Sequence, residues 1–186
     1  MNIGANLKHE GATNIDFEQL FNGLKAVMTD IPTEITAQEA GQLLQKYFTE
    51  LEENKVKAIQ EEGKSFLAAN SLRPEVTTLP SGLQYEVLVE GKGDKPKATD
   101  NVVCHYVGTL VNGTEFDSSV RRGEPATFPV NGVIAGWVEA LQLMAVGSKW
   151  KLYIPYNLGY GARGAGQSIP PYATLIFEVE LLEIVK

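Results

Sequence analysis

Gly159, Gly161 and Gly164 stand at the spacing G-x-G-x-x-G, which in a nucleotide-binding loop lets backbone approach a pyrophosphate held on the N-terminus of the next helix. Here Gly166 is followed by Ser168, Ile169 and two prolines, and then by the run ATLIFEVELLEIV. That run is strand-like, so no helix N-terminus and no βαβ crossover follow the glycines. The spacing therefore predicts a loop whose glycines serve turns and close approach. Cys104 is the single cysteine, which excludes an internal disulfide, and His9 and His105 are too few for a zinc constellation. Cys104 and His105 alternate on a predicted strand and read as a buried thiol and a paired imidazole. No Ser-His-Asp or Cys-His arrangement is present for nucleophilic catalysis. No metal or cofactor is expected.

The elements that must position any site fall into two halves. The formal charge of −7 divides into 7 Lys/Arg against 12 Asp/Glu over 1–75 and 9 against 11 over 76–186. Neither half is basic, which disfavours nucleic acid and anionic lipid as main partners. No run approaches the length of a membrane span, and the N-terminal MNIGANLKHEGATN lacks the apolar core of a signal peptide. These features predict a cytoplasmic protein; a leader lost before this start would place it in the periplasm or anchored at a surface.

Phe17, Leu20, Phe21, Leu24, Val27 and Met28 recur at helical spacing behind Asp16, a candidate N-cap. A second helix starts from the capping box Thr36–Glu39 and runs toward Phe66 and Leu67 without a proline before Pro74. At about 34 residues it would be roughly 50 Å long. Its stretch EENKVKAIQEEGK is charged nearly all round and keeps only Val56, Ala58 and Ile59. That pattern suits a stalk through solvent, the alternative being a surface helix on its own domain. Gly63 offers a hinge there. The apolar face of residues 1–50 exceeds what two helices can cover, so pairing with a second chain is expected.

After Pro74 the period becomes two. GLQYEVLV, NVVCHYVGTLV, SKWKLYIP and ATLIFEVELLEIV read as strands, Asn112-Gly113 as a hairpin turn before TEFDSS, and 137–145 as a short helix ended by Gly147. The reading is α+β: a helical segment over 1–75, then an antiparallel sheet with one packed helix over 76–186.

The runs GLQYEVLVEGKGDKP, VCHYVGTLVNGTEFDSSVRRGEPATFPV, GVIAGWVEALQLMAVGSKWKLYIP and LGYGARGAGQSIPPYATLIFEVELL resemble the FKBP family of peptidyl-prolyl cis/trans isomerases, in that family's order and spacing. Gly4, the pair Gly23-Leu24 and EEGKSFLAAN before PSGLQY are similar to the dimerisation and stalk segment of the macrophage infectivity potentiator branch. In that branch a helix normally comes before the point where this sequence starts. The resemblance implies a sheet half-wrapped around one helix and a proline pocket between them. It implies a lining of Tyr106, Phe116, Asp117, Phe128, Val133, Ile134, Trp137, Tyr160, Ile169 and Phe177, with Trp137 as floor and LGYGARGAGQSIPP as the overlying loop. It further implies Tyr160 as hydrogen-bond donor to a substrate carbonyl and Asp117 as the polar group organising the twisted amide, held by Tyr106 or by Arg122. Read without the family, Tyr160 is a loop tyrosine shielding the core, Asp117 a turn-capping carboxylate and Trp137 plain core.

The implied reaction makes and breaks no covalent bond. Its barrier is about 18–20 kcal/mol and comes from amide resonance. A gain of about 10⁴–10⁶ asks for roughly 5–8 kcal/mol of differential stabilisation. An apolar pocket can supply this by stripping water from the carbonyl of the more charge-separated planar amide. The expected partners are proline-containing polypeptide clients in unfolded or partly folded states. A dimeric client-binding chaperone with incidental isomerisation is the alternative, favoured if Val56 and Ile59 face solvent. Macrolide binding is also implied. Ala126 where small mammalian members carry an aromatic, a short segment between Phe128 and Trp137, and Ala135 in place of a proline bear on pocket breadth.

Overall fold

The computed structural model describes residues 2–12 and 14–185, which fall into two compact units, Met1–Lys57 and Ala58–Lys186. In the first, α1 (Asn2–His9) precedes α2 (Phe17–Met28) and the start of α3 (Ala37–Asn70). Local chemistry sets both later starts. Asp16 accepts from the amides of Glu18 and Gln19, each at 3.0 Å. At α3 the Thr36 amide donates to Glu39 Oε2 at 2.8 Å, and the Glu39 amide donates back to Thr36 Oγ1 at 3.2 Å. This is a reciprocal capping box. The helix α1 was not expected, because NIGANLKH lacks a periodic apolar stripe.

The second unit holds seven strands: β1 (Val76–Thr78), β2 (Gln84–Val89), β3 (Asn101–Leu110), β4 (Glu115–Ser118), β5 (Ala126–Pro129), β6 (Lys149–Ile154) and β7 (Leu175–Val185). They pair antiparallel in the order β1-β2-β6-β7-β3-β4, with β5 also on β3. Between them lie a helical turn, α4 (Ser119–Arg122), and the helix α5 (Ala135–Leu143). Alternate residues of β3, β6 and β7 point inward, and Leu152, Ile154, Leu175, Val179 and Leu181 are fully buried. Trp137, Ala140 and Leu141 of α5 complete this core together with Met144. The helix begins two residues before Trp137 and stops at Leu143. Gly147, expected to end it, instead lies in the following turn and donates to Leu181 O at 2.8 Å.

The two units divide before Ala58, within α3, and the last turns of α3 pack against the strands of their own unit. A Cβ on Gly63 would lie 2.4 Å from Thr174 Oγ1. Phe66 meets the ring of Tyr153 at 5.8 Å, and buried Asn70 donates to Gln84 at 2.9 Å. Arg73 then donates to the Tyr153 hydroxyl at 3.0 Å and to Glu86 at 2.9 Å. Gly63 is thus a point of close approach in place of the hinge its sequence position suggested. Val56 and Ile59 are half-buried, not solvent-facing; Ile59 lines a small cleft with Gly63, Leu110 and Thr174.

Candidate active site

The inward rhythm of β3 delivers Tyr106, and Gly108 leaves room beside it. A Cβ at Gly108 would lie 2.6 Å from the ring of Phe116 and 2.7 Å from that of Phe177, so glycine is what admits both rings. Phe116 arrives from β4, Phe128 from β5, Phe177 from β7 and Trp137 from the first turn of α5. Trp137 meets Tyr106, Phe128 and Phe177 nearly edge-on, at centroid distances of 5.4, 5.7 and 5.3 Å. Phe116 stands edge-on to Phe177 at 5.4 Å. Perpendicular rings of this kind suit the aromatic quadrupole and hold one another rigid. The Trp137 indole nitrogen is buried without a hydrogen-bond partner among the described residues.

These rings enclose a cavity of about 670 Å³. Tyr106, Phe116, Asp117, Phe128, Val133, Ile134, Trp137, Tyr160, Ile169 and Phe177 all line it, so every site residue expected from sequence stands at one cavity. Gly132, Ala165, Gly166 and Ser168 line it too and were not expected. They carry little side chain and leave no sequence signal beyond loop composition.

One polar cluster marks the wall. The Tyr106 hydroxyl donates to Asp117 Oδ2 at 2.6 Å and accepts from Arg122 Nη2 at 2.8 Å. Arg122 Nη1 also pairs with Asp117 Oδ1, so Tyr106 and Arg122 both hold the carboxylate. Asp117 caps locally as well, accepting from the Ser118 amide at 2.8 Å. Burial pushes the Asp117 carboxyl up, but hydrogen bonds from Tyr106 and Arg122, the Arg122 charge and the Ser118 amide outweigh it and hold the group below its ordinary value. Burial first, and then the bond to Asp117, push the Tyr106 phenol up against the opposing pull of Arg122. Burial also raises the Cys104 thiol to about 12, leaving it inert. His105 Nδ1 lies 3.1 Å from Ser119 Oγ.

The loop after β6 forms the opposite wall. Two short 3₁₀ turns, Tyr156–Leu158 and Gly161–Arg163, lead into a bridge in which the Ala165 amide donates to Ile169 O at 2.9 Å and the Ile169 amide donates back at 3.1 Å. Gly164 has φ +65°, and a Cβ there would fall 2.2 Å from Ile169 O. Only glycine fits both demands, which is the structural use of the glycine spacing; no α-helix follows it. Tyr160 is 40% exposed. Its hydroxyl makes no hydrogen bond among the described residues, and burial, with the nearby Asp117 charge, raises its pKa.

The fold and this cavity define a class: an α+β binding domain in which a bent antiparallel sheet and one helix present a rigid aromatic pocket with a polar wall. The family described as FKBP-type peptidyl-prolyl cis-trans isomerase matches residues 92–182, and the domain amino-terminal to such isomerases matches residues 1–87. The chain belongs to the FKBP-type peptidyl-prolyl cis-trans isomerase family. It is 60% identical over 127 residues to the FKBP-type 22 kDa peptidyl-prolyl cis-trans isomerase of Escherichia coli, covering 68% of this chain and 62% of that relative. It is 40% identical over 196 residues to the outer membrane protein MIP of Legionella longbeachae, covering 99% of this chain and 82% of the relative. The crystal structure of FkpA from Escherichia coli superposes with a TM-score of 0.81 at 36% identity, over 98% of this chain and 89% of that one. Matches to two of the curated relatives span only about three-fifths of their length, 62% and 61%. No helix among the described residues is long and apolar enough to cross a membrane. These relatives do not support the expected cytoplasmic placement, one of them being named for the outer membrane.

Proposed function

We propose that this protein is a peptidyl-prolyl cis/trans isomerase acting on Xaa-Pro bonds of unfolded or partly folded chains. The observation that carries the reading is a cavity walled by Tyr106, Phe116, Phe128, Trp137 and Phe177, with an ionised Asp117 on one side and an unengaged Tyr160 hydroxyl on the other. A prolyl ring seated against Trp137 loses water around its imide, which disfavours the planar amide relative to the twisted one. Tyr160 donates to a substrate carbonyl, and Asp117, clamped by Tyr106 and Arg122, organises the twisted amide. The test is cis/trans exchange of a Leu-Pro peptide with catalytic amounts of the protein and of Tyr160→Phe and Asp117→Ala. Acceleration weakened by either change supports the reading, and a folded sample without acceleration overturns it.

A second reading concerns assembly. Every residue of α2 is unburied, and Phe17 and Met28 are 76% and 77% exposed. Such a face calls for a homodimer through residues 1–50. With Val56 and Ile59 half-buried, the surface that would favour a purely client-holding chaperone is reduced. A macrolide ring is a further ligand whose chemistry suits the aromatic lining, with Ala126 and the segment before Trp137 the departures that bear on its fit. A periplasmic or surface-anchored placement fits the outer-membrane name of one relative.

A further inference from the structure

On the edge away from β7, β3 is paired by β5 over Asn101–Cys104 and by β4 over Val107–Thr109. His105 and Tyr106 lie in the gap between these partners. Tyr106 is buried there, and its backbone N–H and C=O would cost free energy if unpaired. Ser119, fully buried at the start of α4, fills the gap with one hydroxyl. Its Oγ accepts from the Tyr106 amide at 2.7 Å and donates to the Tyr106 carbonyl at 3.2 Å, and His105 Nδ1 lies 3.1 Å away.

The turn that Ser119 begins carries the other half of the cluster. The side chain of Ser118 caps α4 by accepting from the Arg121 amide at 3.0 Å, and the turn that begins at Ser119 carries Arg122 back onto Asp117 and the Tyr106 hydroxyl. We propose that Ser119 is a positioning residue of the isomerase site: its hydroxyl stands in for a missing strand and fixes Tyr106 between the backbone anchor and the Asp117–Arg122 clamp. This rests on the isomerase reading and on the role of Asp117 within it. Ser119 touches no substrate, so its effect passes through the position of Tyr106 and the charge state of Asp117.

The test compares Ser119→Ala with Ser119→Cys, which keeps a weak donor in a slightly larger side chain, with Asp117→Asn, and with Val130→Ala as a core variant that makes no side-chain hydrogen bond in the polar cluster. We expect Ser119→Ala to lower kcat/KM for a Leu-Pro peptide about tenfold or more, as displaced active-site groups do, and Ser119→Cys to lower it less. In the same samples the Asp117 carboxyl, followed by carbon NMR, should titrate higher in Ser119→Ala, and the Tyr106 amide should lose protection from exchange. Val130→Ala should leave the Asp117 titration unchanged. Should Ser119→Ala not fold, Ser119→Cys carries both readouts. Loss of activity in Asp117→Asn, with Ser119 variants unchanged in rate and in Asp117 titration, overturns the positioning role alone. No loss in either overturns the role of Asp117 and the positioning role with it.

Discussion

In the proposed site, Asp117, Tyr106 and Tyr160 are the groups whose shifted pKa values predict a response to pH. The Asp117 pKa lies below its ordinary 3.8, so the carboxylate is already ionised well above that value. The phenols of Tyr106 and Tyr160 lie above their ordinary 10.0 and remain protonated through neutral and mildly alkaline solution. kcat/KM should therefore be flat from about pH 5 to pH 9; a limb centred near neutrality would show that another group controls the step. The linkage to stability follows the same signs. A depressed carboxylate stabilises the fold above its unfolded pKa, and that contribution disappears as pH falls through the lower folded value. The raised phenols contribute below about pH 10 and lose that contribution as pH rises through their folded values. At Gly108 the argument is steric: a methyl would meet two rings at under 3 Å, and overpacking of this kind costs about 1–3 kcal/mol. Gly108→Ala should lower both kcat/KM and Tm, because Phe116 and Phe177 would be displaced into the cavity. Peptide kinetics beside a thermal melt check this.

Elements differ in how far sequence disclosed them, and the difference is one of range. The starts of α2 and α3 were legible because Asp16 and the Thr36–Glu39 pair act on amides two or three residues away. The strands β2, β3, β6 and β7 were legible from their period-two alternation and β4 from the hairpin turn before it, whereas β1 and β5, which bury no residue, carried no such signal. The turn α4 was not, since four residues carry no period and Ser119 acts on a backbone gap created by two other strands. The aromatic site was legible only as a family pattern, its members coming from β3, β4, β5, β7, α5 and a loop. Gly63 misled for the same reason: within its helix it looks like a weak point, and the residue that explains it, Thr174, is remote in sequence. Gly63→Ala weighs a helix-propensity gain of about 1 kcal/mol against overpacking of about 1–3 kcal/mol at a buried threonine. The second is larger, so the variant should be less stable, by a net of about 1 kcal/mol in urea unfolding. A fragment starting at Ala58 should likewise melt higher than one starting at Val76, which lacks Phe66, Asn70 and Arg73.

At the scale of the whole molecule, the proposed homodimer rests on the apolar face of the first unit. Phe17, Leu20, Phe21, Leu24, Val27 and Met28 are all exposed on α2, and Leu43, Leu44 and Tyr47 are exposed on α3. Burying a large apolar side chain yields about 1.5–3 kcal/mol, so the six on α2 alone supply on the order of 10 kcal/mol. That is comparable with the roughly 4–15 kcal/mol lost on association, and the exposed α3 side chains add to it. In the proposed homodimer a second copy of the same face would satisfy both surfaces at once. Phe21→Glu places a charge in that face, where an unpaired buried ion is strongly unfavourable. It should shift sedimentation from dimer to monomer at micromolar concentration. The short-peptide kcat/KM should stay within about twofold, since each cavity is complete within Ala58–Lys186. Catalysis of a long proline-limited refolding reaction should fall further, because a dimer holds a second cavity near a chain already bound by the first. If the wild type sediments as a monomer, the exposed face has another partner; if Phe21→Glu reduces peptide and refolding rates equally, pairing of cavities contributes nothing.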